Sequence, residues 1–160
     1  MPQVELFTID KFYDAVEEKV KQKVEQEKWN WLVGEHFDNL VLGFFDRVKR
    51  LLVPLETKLK EYPVDSVHSV FEMREEEGHL TIRFEERTLD FTARNEAGHF
   101  EMQISGNGKF IKPFTITFDP QNRRPAFSVL TYQARVPEPV NDGHIIEVIR
   151  DVLMEEKPEE

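Results

Sequence analysis

The sequence predicts a single α+β domain, in which two N-terminal helices and a short C-terminal helix cover one face of a six-stranded antiparallel meander sheet. Two observations predict this fold class. Apolar residues recur at helical spacing through the first third of the chain and again near its end. From Val67 onward, apolar and polar residues alternate with a period of two, which is typical of strands with one buried and one solvated face.

The first helix is expected to start at the N-cap residue Asp10 and to run to about Lys28, after a short strand over Val4–Ile9. Its apolar residues are spaced four apart and are Phe12, Val16, Val20 and Val24. This row crosses the helix obliquely, so it favours packing across a neighbour at an angle over a coiled coil. The remaining residues are mainly Glu, Lys and Gln, and the helix is therefore predicted to be peripheral.

The second helix, expected over about Asn30–Leu52, is apolar around more than half of its circumference. Pro54 is expected to end or kink it. Such a helix is covered on two sides, which leaves two explanations. It lies between the first helix and the sheet, or one side meets another subunit. Aromatic residues are enriched at interfaces, and the candidates here are Trp29, Trp31, Phe37 and Phe45.

Six apolar sets with short connections predict the six strands. Gly106, Asn107 and Gly108 form a strong hairpin signal, and Pro113 within the fifth strand indicates a bulge or an edge.

The closing helix is expected over His144–Leu153, capped by Asn141 or Asp142. Residues 1–154 are predicted to form one domain, and residues 155–160 an acidic, flexible tail.

Composition restricts the function. The chain contains no cysteine, which excludes disulfides and thiolate sites. It shows neither a signal peptide nor an apolar run long enough to span a bilayer, so a cytoplasmic protein without a membrane partner is expected. The net charge of −10 disfavours nucleic acid as a partner.

Pairing the apolar positions across the predicted turns aligns the strands. One buried row then contains Phe71, Ile82, Ala93 and Met102. A polar row on the other face contains His68, Glu85, Asp90 and Ser105. His, Glu and Asp side chains together can bind a divalent metal or transfer protons. An exposed sheet face does not desolvate these groups, so a solvated surface is the favoured explanation. No nucleotide, hydrolase or calcium motif occurs, and no catalytic residue, metal ligand or cofactor is assigned.

Three functions are compatible with these features. The favoured one is a non-catalytic intracellular interaction or regulatory module that self-associates as a homodimer. It is favoured because the second helix is so apolar and because Trp29 and Trp31 lie at its start. The alternative is a protein that binds a small apolar ligand. This alternative is based on the order of the predicted helices and strands in the chain, which resembles that of helix-grip (START/Bet v1-like) folds. The resemblance implies a Phe-lined cavity. An enzyme that uses the polar row has the least support.

Overall fold

The computed structural model describes residues 8–96, 98–130 and 137–154, apart from the side chain of Val67. The described helices are α1 (Ile9–Lys60), the short α2 (Asp65–His68) and α3 (Asp142–Leu153). The strand expected over Val4–Ile9 falls mainly outside these residues, and Ile9 itself is helical. The expected tail, residues 155–160, also lies outside them.

A seven-stranded sheet is formed by the described residues. Its strands are β1 (Phe71–Glu76), β2 (His79–Phe84), β3 (Arg87–Glu96), β4 (His99–Gly106), β5 (Lys109–Asp119), β6 (Arg124–Val129) and β7 (Glu138–Pro139). Each strand is antiparallel to the next in the order β1 to β7, so the predicted meander is confirmed but the count of six is wrong. The missed strand, β7, has two residues, which is too short for any alternation to appear in the sequence.

The prediction of two N-terminal helices is also wrong, because α1 is one continuous helix of 52 residues. The sequence around Trp29 contains neither Gly nor Pro, so nothing interrupts the backbone there. What changes after Trp29 is the burial of the helix, because the buried residues of α1 begin at Val33. The N-cap is Thr8, whose Oγ1 accepts a hydrogen bond from the Lys11 amide, and the expected cap Asp10 lies in the first turn.

Pro54 does not end α1, because the helix continues past it to Lys60. A proline inside a helix removes the hydrogen bond to the carbonyl four residues earlier, here that of Arg50. Both residues are exposed, so water can hydrate this carbonyl.

The core lies between one face of the sheet and the C-terminal part of α1, where buried residues begin at Val33. Phe44 is at its centre. Its ring centroid lies 5.1, 5.9 and 5.6 Å from those of Phe91, Phe114 and Phe127. Helix α3 joins the same core through Ile145, Val148, Ile149 and Val152. The predicted covering of one sheet face by helices is therefore observed.

Two ion pairs connect α1 to its neighbours. Arg47 Nε lies 2.6 Å from Asp142 Oδ1, at the start of α3, and Lys49 Nζ lies 3.1 Å from Glu75 Oε1 on β1. The hydrogen bond to Glu75 raises the pKa of the Lys49 ammonium, and Asp46 adds to this effect. Because such pairs are partly exposed, they contribute orientation more than stability.

The bulge that Pro113 predicts is present between β4 and β5. Ile104 pairs with Lys112 and Ser105 pairs with Phe110, which leaves Ile111 as the extra residue.

Candidate functional site

The N-terminal segment Ile9–Lys28 of α1, called the arm below, extends past the sheet. Every arm residue is described, and none of them is buried. The turn of the hairpin between β3 and β4 approaches α1 at Asn30, where a Cβ added to Gly98 would lie 3.6 Å from Nδ2. At 1.5 Å per residue, about 30 Å of helix therefore stands away from the rest of the described chain.

Large apolar side chains form one band along this arm. They are between 42% and 62% exposed, and they are Ile9, Phe12, Tyr13, Val16, Val20 and Val24, called the arm stripe below. At 100° per residue these six positions fall within about 120° of the helix circumference. Trp31, which is 67% exposed, continues the band beyond the arm. The arm is therefore an amphipathic helix whose apolar side is exposed in the part of the chain that the structure describes.

The spacing of the arm stripe is not that of a heptad repeat. Ile9, Val20 and Trp31 are eleven residues apart in succession. An eleven-residue repeat corresponds to about 3.67 residues per turn, which keeps an apolar band nearly straight along the helix. This agrees with the expectation from the sequence that the helix is not a heptad coiled coil.

The four aromatic interface candidates are not on one surface. Trp31 is exposed, but Trp29 is half-buried and lies about 200° away around the helix. Phe37 and Phe45 are only 4% and 0% exposed. Phe37 packs on the rings of Phe100 and Phe127, so the structure places it, like Phe45, in the core and not at an interface.

The polar row His68, Glu85 and Asp90 is not assembled either. His68 lies in α2, where it contacts Asp65 and the Tyr62 carbonyl. Glu85 lies in the turn between β2 and β3, and Asp90 pairs across the sheet with Thr81. Within the described part of the chain, no hydrogen bond or ion pair joins any two of the three.

The sheet instead brings His79, Thr81 and Asp90 together on its outer face. Asp90 Oδ1 lies 2.9 Å from His79 Nε2 and accepts a hydrogen bond of 2.8 Å from Thr81 Oγ1. Thr81 Oγ1 also lies 3.3 Å from the same His79 nitrogen. In a catalytic arrangement the hydroxyl and the carboxylate contact different imidazole nitrogens, whereas here both face Nε2 and the Thr81 hydroxyl donates to the carboxylate. We therefore interpret this cluster as a cross-strand hydrogen-bond network that supports pairing of β2 with β3.

Metal-ligating side chains do not converge elsewhere in residues 8–96, 98–130 and 137–154, where no group of three His, Asp or Glu residues is positioned to hold an ion.

A cleft of about 700 Å³ lies between α1, the loop from β5 to β6, and the start of α3. Its cationic lining residues are Arg47, Arg50 and Arg124, with His36 at the same wall. Its apolar lining includes Leu40, Phe44, Pro125, Phe127 and Val140. A smaller groove of about 520 Å³ lies between β5, β6 and α3. The cleft was not predicted from the sequence, because three separate segments of the chain contribute its residues.

Asp119 organises the loop at the edge of this cleft. Its carboxylate accepts hydrogen bonds from the Gln121 amide, at 3.0 Å, and from Asn122 Nδ2, at 2.8 Å. The bond from Asn122 is the main cause that lowers the pKa of Asp119 below its usual range, with Arg124 contributing through its charge. These contacts are strongest while Asp119 is ionised, so they weaken as the pH falls through that lowered pKa.

Comparison with protein-family models, with curated proteins and with solved structures yields no match. None of the described helices combines the length and the hydropathy that a bilayer-spanning segment requires. The function must therefore be argued from the residues of this chain.

Proposed function

We propose that this protein is a self-associating interaction module, in which the arm of one copy packs along the arm of a second copy. The observation that carries this proposal is the arm stripe, a band of large apolar side chains that are each between 42% and 62% exposed. Contiguous exposed apolar surface of this kind marks interaction sites in folded proteins.

The physical chemistry of the arm supports a partner. Helices in proteins are stabilised mainly by packing of an apolar face, and an unsupported helix of this length is marginal in water. Three of the stripe residues are valines, which form helices less readily than Ala or Leu. Burial of the stripe therefore stabilises both the helical conformation and the contact that buries it.

Charge identifies the partner as a second copy in antiparallel orientation. Asp10–Glu18 contains four carboxylates and one lysine, a net charge of −3. Lys19–Lys28 contains four lysines and two carboxylates, a net charge of +2. Two antiparallel arms place the acidic half of each beside the basic half of the other. Parallel arms would place like charges together, which opposes association.

The apolar residues match in the same orientation. When two antiparallel arms cross with Glu18 at the centre, Phe12 lies level with Val24 of the second copy, and Val16 with Val20. These four residues of the arm stripe therefore face one another across a two-fold axis, whereas Ile9 lies level with Glu27 and Tyr13 with Lys23. A contact about 30 Å long and one helix wide is small for a specific interface, so we expect a reversible dimer.

Sedimentation velocity over a wide range of protein concentration tests this proposal. We expect a single species of about twice the chain mass of 18.9 kDa at high concentration, which dissociates to monomer on dilution. Because ion pairs contribute, the dissociation should also increase with salt. A strict monomer at all concentrations would contradict the proposal. It would favour a different protein as the partner of the arm stripe.

The alternative of a central Phe-lined cavity has less support. The rings of Phe44, Phe91, Phe114 and Phe127 pack against one another in the space that such a cavity would occupy. All four are no more than 6% exposed. The open volumes in the described part of the chain lie at the margins of this core, and one of them has a cationic wall.

A further inference from the structure

The cleft beside α1 brings several arginines of this acidic chain together around an open volume. Three guanidinium groups line it, from Arg47, Arg50 and Arg124, and two carboxylates offset them: Asp119, which also lines the cleft, and Asp142, which pairs with Arg47. The chain as a whole carries a net charge of −10, so this local excess of positive charge is opposite to that of the molecule. Concentrated charge of one sign in a concave site attracts ligands of the other sign.

The three arginine side chains differ in the contacts that they make within the protein. Arg47 is held by the structure: its Nε lies 2.6 Å from Asp142 Oδ1, and its Nη1 donates to the Val140 carbonyl at 2.8 Å. Arg50 makes one long contact, from Nε to the Asp46 carbonyl at 3.4 Å. No ion pair or side-chain hydrogen bond is recorded for Arg124 among the residues that the structure describes. Arg50 and Arg124 therefore have donors available for a ligand.

The carboxylate of Asp119 attracts Arg124 through its charge, but no hydrogen bond joins the two side chains among the described residues. Asp119 is already bonded to the Gln121 amide and to Asn122, which direct its charge into the loop. The N-cap of α3, Asn141, also lines the cleft, so the positive end of that helix dipole adds to the field.

The lining of the cleft is mixed. About half of its residues are apolar, and Leu40 and Ala126 are half-buried there, whereas Phe44 and Phe127 are each only 6% exposed. A concave site that combines apolar surface with a few charged groups suits a small molecule. Guanidinium groups beside apolar side chains fit a ligand with an oxyanion at one end and an apolar body at the other.

We propose that this cleft binds a small organic anion, whose carboxylate or phosphate is held by Arg50 and Arg124 while its apolar body lies against Leu40 and Ala126. Carboxylates and phosphates share the geometry that guanidinium groups bind. This site is separate from the arm, so it does not depend on the proposed self-association.

Titration of the full-length protein with simple probes, followed by two-dimensional amide NMR, tests the site. Benzoate and phenyl phosphate carry the two kinds of oxyanion on the same ring, and benzyl alcohol is the neutral counterpart. At constant ionic strength, we expect saturable shifts at Asn39, Gln121 and Val140 with at least one anion, and none with benzyl alcohol. The anion that binds more tightly identifies the class of ligand.

Two variants and a control assign the binding to the arginines. We expect Arg50→Gln and Arg124→Gln each to weaken anion binding about tenfold, since each removes a charge-assisted hydrogen bond. Both side chains are exposed, so both variants should melt like the wild type. Arg74→Gln, the same change on β1 at the other end of the sheet, should bind like the wild type. Equal binding of benzyl alcohol, wild-type affinity in both cleft variants, or no saturable shift with either anion would overturn the proposal.

Discussion

The double substitution Val16→Glu/Val20→Glu is expected to convert the protein to a monomer and to weaken dimerisation at least 100-fold. In the antiparallel pair, Val16 of one arm lies beside Val20 of the other, so the variant places carboxylates against carboxylates. It also removes apolar burial, which is worth about 1.5–3 kcal/mol for each fully buried side chain of this size. A loss of about 3 kcal/mol corresponds to roughly 100-fold in the dissociation constant. Sedimentation velocity measures this change directly.

The matched control is Leu42→Glu/Val53→Glu. Leu42 and Val53 lie on α1 outside the arm and are 56% and 45% exposed, which is comparable with the stripe residues. The control adds the same two charges to the same helix. It should retain the wild-type dissociation constant, and an equal loss in both double variants would mean that the arm is not the interface.

Phe44→Ala is expected to destabilise the folded protein by about 3–5 kcal/mol, the range for removal of a buried phenylalanine. The side chain contacts three aromatic rings from three strands, so its loss opens a cavity between α1 and the sheet. Because small proteins are stable by only about 5–15 kcal/mol, the variant should lose much of its stability. Urea unfolding followed by circular dichroism provides the free energy.

Two further variants make this result interpretable. Phe110→Ala removes the same atoms from a side chain that is 59% exposed, and it should change the free energy of unfolding by less than about 0.5 kcal/mol. Phe44→Leu keeps most of the apolar volume and should lie between the wild type and Phe44→Ala, which covers the case in which the alanine variant does not fold. If both Phe44 variants were as stable as the wild type, α1 would not pack on the sheet as described.

The alternation of apolar and polar residues predicted the buried face of most strands, but not at the end of β5, where Phe118 is 51% exposed and Asp119 is buried. It also did not predict the register everywhere. The sequence placed Ile82 opposite Ala93, whereas Ile82 pairs with Leu89, four residues away. Because side chains alternate with a period of two, such an even shift keeps each residue on its expected face but changes its partner. The shift separates Glu85 from Asp90 in the predicted polar row, and His68 is absent from the row because it lies in α2.

Turns decide the register, and only some of them have a readable sequence. The pairing of Ala93 with Met102 was predicted correctly, since Gly98, with φ of 82°, marks that turn. The turn between β2 and β3 is formed by Glu85 and Glu86, and Glu85 has φ of 54°. Residues with left-handed backbone are normally Gly, Asn or Asp, so a turn at Glu85 and Glu86 could not be predicted from the residue types.

In the helical part of the chain, the sequence did not predict which residues are covered by the sheet. The four-residue spacing from Phe12 to Val24 correctly indicated an amphipathic helix, but spacing alone does not tell which element covers its apolar side. The sequence therefore assigned interface roles to Phe37 and Phe45, which the sheet buries, and treated the arm as packed within the chain. Only the three-dimensional extent of the sheet shows that it ends near Asn30 and leaves the arm stripe exposed.

The most direct measurement of the arm pairing is the distance between identical spin labels in the two copies. The chain contains no cysteine, so Lys11→Cys, Glu18→Cys and Glu25→Cys each provide one labelling site on the side of the arm away from the stripe. Antiparallel pairing centred at Glu18 predicts the shortest distance for the label there. It predicts longer and similar distances at the other two sites, where the labels are offset along the helix axis by about 21 Å. Equal short distances at all three sites, or no dipolar coupling at concentrations high enough for a dimer, would contradict the account.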